Sequence, residues 1–398
     1  MSTHARQSRR PLPRLALTAG FALLTAAGAL SGCTRFHASD PALLEPSGAV
    51  VPSAAVAPRA LHIFEGSTGR SLGWADVMAA ASWADAVFIG ERHDDPIAHR
   101  LQLAIFEDLA AGYPGTALAL EHLERHEQGL VDGYLRGEVA LDRFIDDTKS
   151  RHWAGKDTWI PFFQPLVEAA REVGSPVVAA NAPRELVRRA RSEGFDALAA
   201  LPEPERSQFD IPIEGGGLFD RSWGERWSAY QARFNEIMST EEERTDASVR
   251  ARLDDVFRSQ STWDATMGAS MARALADGAP KVVLCAGCFH VERDGGTVLQ
   301  FEARAPRARV LTVTVVDRSS DRLAAEDKGL ADIVVYGAPV ARAKPAEPAQ
   351  PTDSTDSTDS TDSADSADSA ATEASDPAAP AVADEAGAPA PNASRENR

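Results

Sequence analysis

Two places in this 398-residue chain set carboxylates and imidazoles directly after apolar runs. In Gly90-Glu91-Arg92-His93, Glu91 and His93 are two residues apart. In an extended segment that spacing sends both side chains to one face. A carboxylate beside an imidazole can share a metal ion, or each can tune the other's protonation for acid/base work. The same residues also suit a polar loop whose glutamate caps the next helix. The second place, Gly287-Cys288-Phe289-His290, repeats the Gly-x-x-His spacing. Glu121 follows five apolar or small residues, so its carboxylate needs a partner, for which a structural salt bridge would suffice. Arg184 stands where a helix is expected to start, the wrong end of the helix dipole for a cation. A nearby anion, whether Glu121 or a ligand group, would account for it, and so would plain solvation.

Three other features carry less. His122 and His126 flank Glu124 in the order H-x-E-x-H, which is not the metalloprotease order. The strand before them is expected to stop at Glu121, so the two histidines are not expected on one helix face. Cys285 and Cys288 sit at a strand end, whereas redox pairs of this spacing open a helix; they read as small buried side chains. Trp263-Asp264 places an acid beside an aromatic ring inside a long helical pattern.

The elements that must hold these residues alternate between apolar strands and amphipathic helices. Strands are predicted at 85–90, 116–121, 176–181, 281–287, 309–316 and 332–337. Helices are predicted over about 97–109, 124–136, 139–147, 159–174 and 183–194, with Gly137, Gly174 and Gly194 as stops. Residues 200–220 read as loop. From 221 to 277 the pattern is almost wholly helical, which predicts a helical cap or insertion. The fold class is therefore α/β, a mostly parallel sheet flanked by helices. The strands predicted at 85–90, 116–121, 176–181 and 281–287 each end in ionisable or polar residues, and ligands of open α/β sheets bind at the strand carboxyl ends. These four endings are expected to converge on one pocket.

Both ends of the chain are of another kind. Arg6, Arg9, Arg10 and Arg14 precede the apolar run 15–30, which closes on Leu30-Ser31-Gly32-Cys33. The run is short for a membrane span, and the arrangement reads as a bacterial lipoprotein signal over 1–32 with Cys33 as the acylated residue. That places the protein on the bacterial cell envelope, outer membrane facing the periplasm, with a Pro/Ala-rich linker over 33–59. Ser8-Arg9-Arg10 hints at twin-arginine export. Residues 341–398 hold twelve acids and four bases around a Thr-Asp-Ser repeat, so −8 of the net charge of −18 lies there. Such a segment has too little apolar surface to order itself and reads as a disordered tail. The remaining 60–340 is one domain of only moderate acidity, which gives no support to nucleic-acid binding.

The two Gly-x-x-His motifs together resemble those of the Tiki/TraB/erythromycin-esterase-like superfamily. Within it, "GERHDDPIAHRLQLAIFEDL", "ALEHLERHEQGLVDGYLRGE", "VVAANAPRELVRR", "STWDATMGASMA" and "LCAGCFHVERDGG" resemble the ChaN family of haem-binding lipoproteins, over about 80 to 317. The resemblance implies an envelope location, haem as ligand and a role in haem or iron uptake; a lipid bilayer, through the Cys33 acyl anchor, and a second copy of the chain are the other expected partners. It puts Glu91, His93, Glu121, Arg184 and His290 on the family's polar positions, with Trp263 and Asp264 on a supporting motif. Arg184 would then meet a haem propionate. Cys288 departs from the small or polar residue expected there. Family members hold ferric haem through tyrosine, and of Tyr113, Tyr134, Tyr230 and Tyr336 the candidate is Tyr230, in the helical segment. The alternative implied by other superfamily branches is a hydrolase, in which His93 and His290, with Glu91 and Glu121, would bind a divalent metal or activate water.

Overall fold

The computed structural model describes residues 57–214 and 221–338. The expected signal run, Cys33, nearly all of the expected linker and the acidic tail lie outside the described residues.

After a short turn at Pro58–Ala60 come a small antiparallel pair, β1 (His62–Glu65) and β2 (Ser71–Leu72), then α1 (Trp74–Trp83) and β3 (Ala86–Glu91). Next come α2 (Pro96–Gly112), β4 (Ala117–Glu124), α3 (Gln128–Leu135), α4 (Leu141–Asp147) and, after a π-turn at Trp159–Phe163, α5 (Gln164–Val173). β5 (Val177–Asn181), α6 (Arg184–Ala199), the single turn α7 (Glu203–Arg206), α8 (Arg221–Met238) and α9 (Ala247–Ala276) follow. The last part holds β6 (Val282–Gly287), α10 (Cys288–Val291), α11 (Gly296–Arg304), β7 (Val310–Val316) and β8 (Ile333–Tyr336). Among the described residues eight strands form one sheet in the order β2-β1-β8-β7-β3-β6-β4-β5. From β8 to β5 every pairing is parallel, and β1 pairs antiparallel with β8 and β2. This is the expected α/β architecture, a mostly parallel sheet between helices.

The central strands are buried on both faces, which is why they read as unbroken apolar runs. Every residue of β3 and of β6 is buried. One face carries Phe88, Ala119, Leu284 and Ala286 against Met267 and Met271 of α9 and Phe301 of α11. By alternation, Val87, Ile89, Leu118 and Val283 point to the other face, on the side of α2, which packs with α1 and α5. Each large side chain so buried contributes about 1.5–3 kcal/mol.

Local signals set the helices that matter to the site. Asp95 caps α2, its carboxylate accepting from Ile97 N at 2.8 Å and Ala98 N at 3.3 Å, with Pro96 in the first turn. Gly174 ends α5 in the left-handed region, φ 68°. Gly194 breaks α6 at φ 81°. The helical segment expected over 221–277 is present as α8 and α9. Its second half lies on the sheet itself through Met267 and Met271, so α9 belongs to the flanking layer as well. The strand pattern missed β1 and β2, which are short and lie at the antiparallel edge, and the apolar periodicity left α1 and α11 unassigned.

One boundary differs in a way that matters. β4 was expected to stop at Glu121 and continues to Glu124. No glycine or proline interrupts Glu121-His122-Leu123-Glu124, so charge alone does not end the strand.

Candidate functional site at the strand carboxyl ends

In the sheet order, β3 leads through α2 to β4 on one side, and β6 leads through α11 to β7 on the other. The two connections leave adjacent strands in opposite senses, the arrangement that opens a crevice at the carboxyl end of a parallel sheet. Glu91 and Gly287 stand opposite each other at that end, in register.

Glu91 is the hub on the α2 side. Buried, at 1% exposure, its carboxylate accepts from His93 Nδ1 at 3.0 Å, His122 Nε2 at 3.0 Å and Gln102 Nε2 at 2.5 Å. His99 Nδ1 lies 3.3 Å away, and its Nε2 reaches the His93 carbonyl at 3.0 Å. Burial alone would push the Glu91 carboxyl up, but the charges of His99 and His122 and the bonds from His122 and His93 hold it well below the usual carboxylate value. Burial works against protonating His99, and the Glu91 charge overcomes it, so this imidazole is raised. His122 is lowered, chiefly by burial. Its Nδ1 is buried and without a hydrogen-bond partner.

The second hub lies on the α9 side. His290 Nδ1 is 2.7 Å from Asp264 Oδ1, and Nε2 is 3.5 Å from Glu121 Oε1. Asp264 also accepts from Tyr230 Oη at 2.6 Å and Thr297 Oγ1 at 2.7 Å. Gln260 Nε2 donates to Tyr230 Oη at 3.0 Å. Burial would lower the imidazole of His290, but the charges of Glu121 and Asp264 raise it to about 10. Burial would raise Glu121, and His290 brings it down to about 2. His290 is therefore a fixed cation between two carboxylates at neutral pH.

The hubs meet over Gly287. Its N–H donates to Glu121 Oε2 at 2.6 Å. A Cβ at this position would stand 2.9 Å from His93 Cε1, so only glycine lets that ring settle there. Gly296 is similarly confined, with Asp264 Oδ2 at 2.2 Å from the would-be Cβ. His93 is the most open member, with 21% of its side chain exposed. Burial would lower it, and the bond to Glu91 with the Glu121 charge raises it instead. Trp153, at 9% exposure, closes this side with its ring 4.7 Å from His93 and 4.2 Å from His122.

Glu91, His93, Glu121 and His290 thus share one cluster. Arg184 does not join it. At the first turn of α6 it pairs with Glu124 at 3.5 Å, so the anion that accounts for it is Glu124 rather than Glu121. Trp263 packs between two apolar clusters, while its neighbour Asp264 holds His290. Tyr230 is 2% exposed in an aromatic cluster with Trp227 and Phe257. Burial and Asp264 push its hydroxyl well above the usual phenol value, the reverse of what a tyrosinate iron ligand needs. That geometry speaks against Tyr230 as the haem ligand. The other tyrosine hydroxyls are also engaged, Tyr134 on Glu168, Tyr336 on Asp327 and Tyr113 on the Ser82 carbonyl. His93 and His290 do not form a metal pair, because both nitrogens of His290 face carboxylates. The donor atoms that come together are those of Glu91, His93 and His122, all within 4.8 Å of one another. His126 is exposed and turned to Glu124. Cys285 and Cys288 are free thiols raised by burial, Cys288 to about 12.

Sequence reasoning missed His99 and Gln102 as site residues, and it weighed His122 only at the strand ending and in a pair with His126. The longer β4 would have shown His122. His99 and Gln102 had a signal too, as polar residues on the buried face of α2 beside Ile97, Leu101 and Ile105.

The family model described as "Haem-binding uptake, Tiki superfamily, ChaN" matches residues 77–301. The chain belongs to the ChaN family of haem-binding uptake proteins. Among solved structures, ChaN of Campylobacter jejuni, described with cofacial haem binding, is 18% identical with a TM-score of 0.50, covering 69% of this chain and 96% of that one. The type III effector HopBA1 is 15% identical at TM-score 0.38, covering 71% and 99%. An erythromycin esterase in its open conformation is 13% identical at TM-score 0.35, covering 68% and 80%. At 18% identity the likeness to the Campylobacter jejuni protein is one of fold. No curated protein matches the chain.

Proposed function

We propose that this protein binds haem in the crevice at the carboxyl ends of β3, β4 and β6, with His93 facing the iron, as a lipid-anchored haem or iron uptake protein of the bacterial envelope. The observation that carries the reading is His93 itself. Its Nδ1 is held by Glu91, which fixes the ring and makes it the better donor. Its Nε2 has no hydrogen bond within the described residues, and the ring is the one part of the cluster open to solvent. A histidine so held is a sound axial ligand for haem iron, whereas none of the four tyrosine hydroxyls is free at the site. The Trp153 ring beside His93 is an apolar neighbour for a porphyrin. Arg184, which pairs with Glu124 at 3.5 Å, would meet a propionate only by sharing that partner. The Cys33 motif supports the anchor and the outer-membrane placement facing the periplasm. Cofacial haem binding in the Campylobacter jejuni relative suggests two copies of this chain meeting at the crevice.

The experiment is an absorbance titration of the purified chain with ferric haem, beside His93→Ala and Tyr230→Phe variants. The expected result is a saturable Soret shift with a histidine-type spectrum, lost in the first variant and kept in the second. No shift, or a shift indifferent to His93, overturns the reading. Sedimentation with and without haem reports on pairing.

A second reading has one observation in its favour, the approach of Glu91, His93 and His122 donors within 4.8 Å. These residues fit a divalent cation of the kind that serves hydrolysis, with Glu121 as a nearby carboxylate. Added Mn²⁺, Co²⁺ or Zn²⁺ would then raise the thermal midpoint of the apo protein. An unchanged midpoint removes this reading.

A further inference from the structure

We propose that Trp153 and the loop that carries it, residues 149–158, form a closure over the site, and that this loop swings outward before a ligand reaches His122. The inference rests on the site proposed above but not on haem being its ligand.

Four observations point this way. First, the Trp153 ring lies across both imidazoles, 4.7 Å from His93 and 4.2 Å from His122, edge on to each. His122 is wholly covered, with 0% of its side chain exposed, although it stands one strand position from the crevice. Second, the loop's polar contacts are largely internal. Trp153 N donates to the Ser150 carbonyl at 3.0 Å, Gly155 N to the His152 carbonyl at 3.0 Å, and Asp157 N to His152 Nδ1 at 2.9 Å. Thr158 Oγ1 accepts from Ala154 N at 3.0 Å and donates to the Gly155 carbonyl at 3.0 Å. A loop packed on itself in this way keeps its shape when it moves. Third, both ends bend sharply. Lys149 and Asp157 hold φ at 52° and 57°, a region non-glycine residues rarely adopt, and Gly155 holds 121°. Such positions absorb the backbone change of a hinge. Fourth, His122 Nδ1 is a buried acceptor with no partner. A lone pair left unsatisfied under an aromatic cover is costly while the cover is closed, and becomes available when it opens.

The Trp153 ring shares the covering of His122 with Phe163, whose ring lies 3.8 Å away on the π-turn; of the two, Trp153 is the one the loop can carry away, and the loop's attachment to the site is chiefly apolar. Opening requires the loss of aromatic contacts and little loss of hydrogen bonding.

The test is carbethoxylation of the apo, full-length protein by diethyl pyrocarbonate, read by mass spectrometry. His126, 51% exposed and four residues away in the sequence, is the internal reference. In the unaltered protein His126 is labelled and His122 protected. Trp153→Ala raises the His122/His126 labelling ratio at least about tenfold, the factor that corresponds to about 1.4 kcal/mol of opening free energy. Thr158→Ala leaves the ring in place but removes two internal bonds, and raises the ratio in the same direction. It serves if Trp153→Ala lowers the urea midpoint too far to be informative. An unchanged ratio in Thr158→Ala, or in a folded Trp153→Ala, overturns the closure, as does a His122 labelled as fast as His126 in the unaltered protein. A raised ratio in a protein that gives no Soret shift keeps the closure and removes only the haem reading.

Discussion

Glu121 and His122 are adjacent in the chain and serve opposite faces of the sheet. His122 turns to the α2 side and donates to Glu91 at 3.0 Å, while Glu121 turns to the α9 side, where His290 lies 3.5 Å away. Strand alternation gives this split, and it persists although the register of β4 against β5 shifts between Leu120 and Glu124. Two consecutive buried polar residues are thereby shared between two hydrogen-bonded hubs. The coupling energies follow. A double-mutant cycle of Glu91→Gln with His122→Ala, measured by urea unfolding, is expected to show an interaction in the range of about 0.5–3 kcal/mol typical of contacting pairs. The cycle of Glu121→Gln with His122→Ala is expected to show a smaller one. Equal couplings would mean that the hubs are one network.

Gly287 is where the hubs touch, and this gives a sharper prediction. Gly287→Ala places a methyl group 2.9 Å from His93 Cε1 and 3.6 Å from Glu121 Oε2. The ring of His93 has to move, and overpacking of this kind costs about 1–3 kcal/mol. A lowered thermal midpoint is expected together with loss of the His93-dependent Soret shift. Retention of both would show that the ring has room the structure does not give it.

How much of this was readable beforehand follows from the same alternation. The strand endings were visible because apolar runs buried on both faces stop abruptly at charged residues, as at Glu91 and Glu121. The pairing of Glu91 with His93 followed from a spacing of two. What was hidden depended on boundaries or on helical faces. His122 falls beyond the expected strand end because the apolar run stops at Glu121 and a helix is expected from about 124, yet nothing in Leu123-Glu124 forbids a strand. His99 and Gln102 lie on a helix whose burial is set by the sheet beneath, and their register against Glu91 is a tertiary fact. Trp153 sits in a loop without periodicity, so no local pattern could bring it to His93. The pairing of Arg184 with Glu124 instead of Glu121 came from the same three extra residues of β4.

The Glu121–His290–Asp264 hub predicts a particular dependence of stability on pH. His290 is raised from 6.5 to about 10. Its contribution is full below pH 6.5 and is lost as pH rises through about 10. Glu121 is lowered from 4.5 to about 2. Its contribution is full above pH 4.5 and is lost as pH falls through about 2. Both are complete together between pH 4.5 and 6.5. Urea midpoints followed across pH should fall on each side of that window for this reason. His290→Gln removes the group that titrates, so the alkaline fall is expected to flatten. An alkaline limb unchanged by that substitution would assign it to other groups.

Tyr230→Phe separates the structural from the ligand role of that residue. The hydroxyl donates to Asp264 at 2.6 Å and accepts from Gln260 at 3.0 Å, deep in the Trp227–Phe257 cluster. Removing it deletes the hydrogen bond and keeps the ring, so packing is preserved. The expected cost is about 1–3 kcal/mol, because Asp264 and Gln260 are left short of a partner in a dry site. With one donor fewer, the Asp264 carboxylate leans more on His290, whose imidazole is expected to titrate higher still. Histidine NMR signals followed against pH would show this. If haem is held through His93, the Soret position and the affinity stay unchanged while stability drops. If the Soret band is lost in Tyr230→Phe and the fold is kept, the phenol must leave Asp264 to reach iron, and the α8 aromatic cluster would have to open for it to do so.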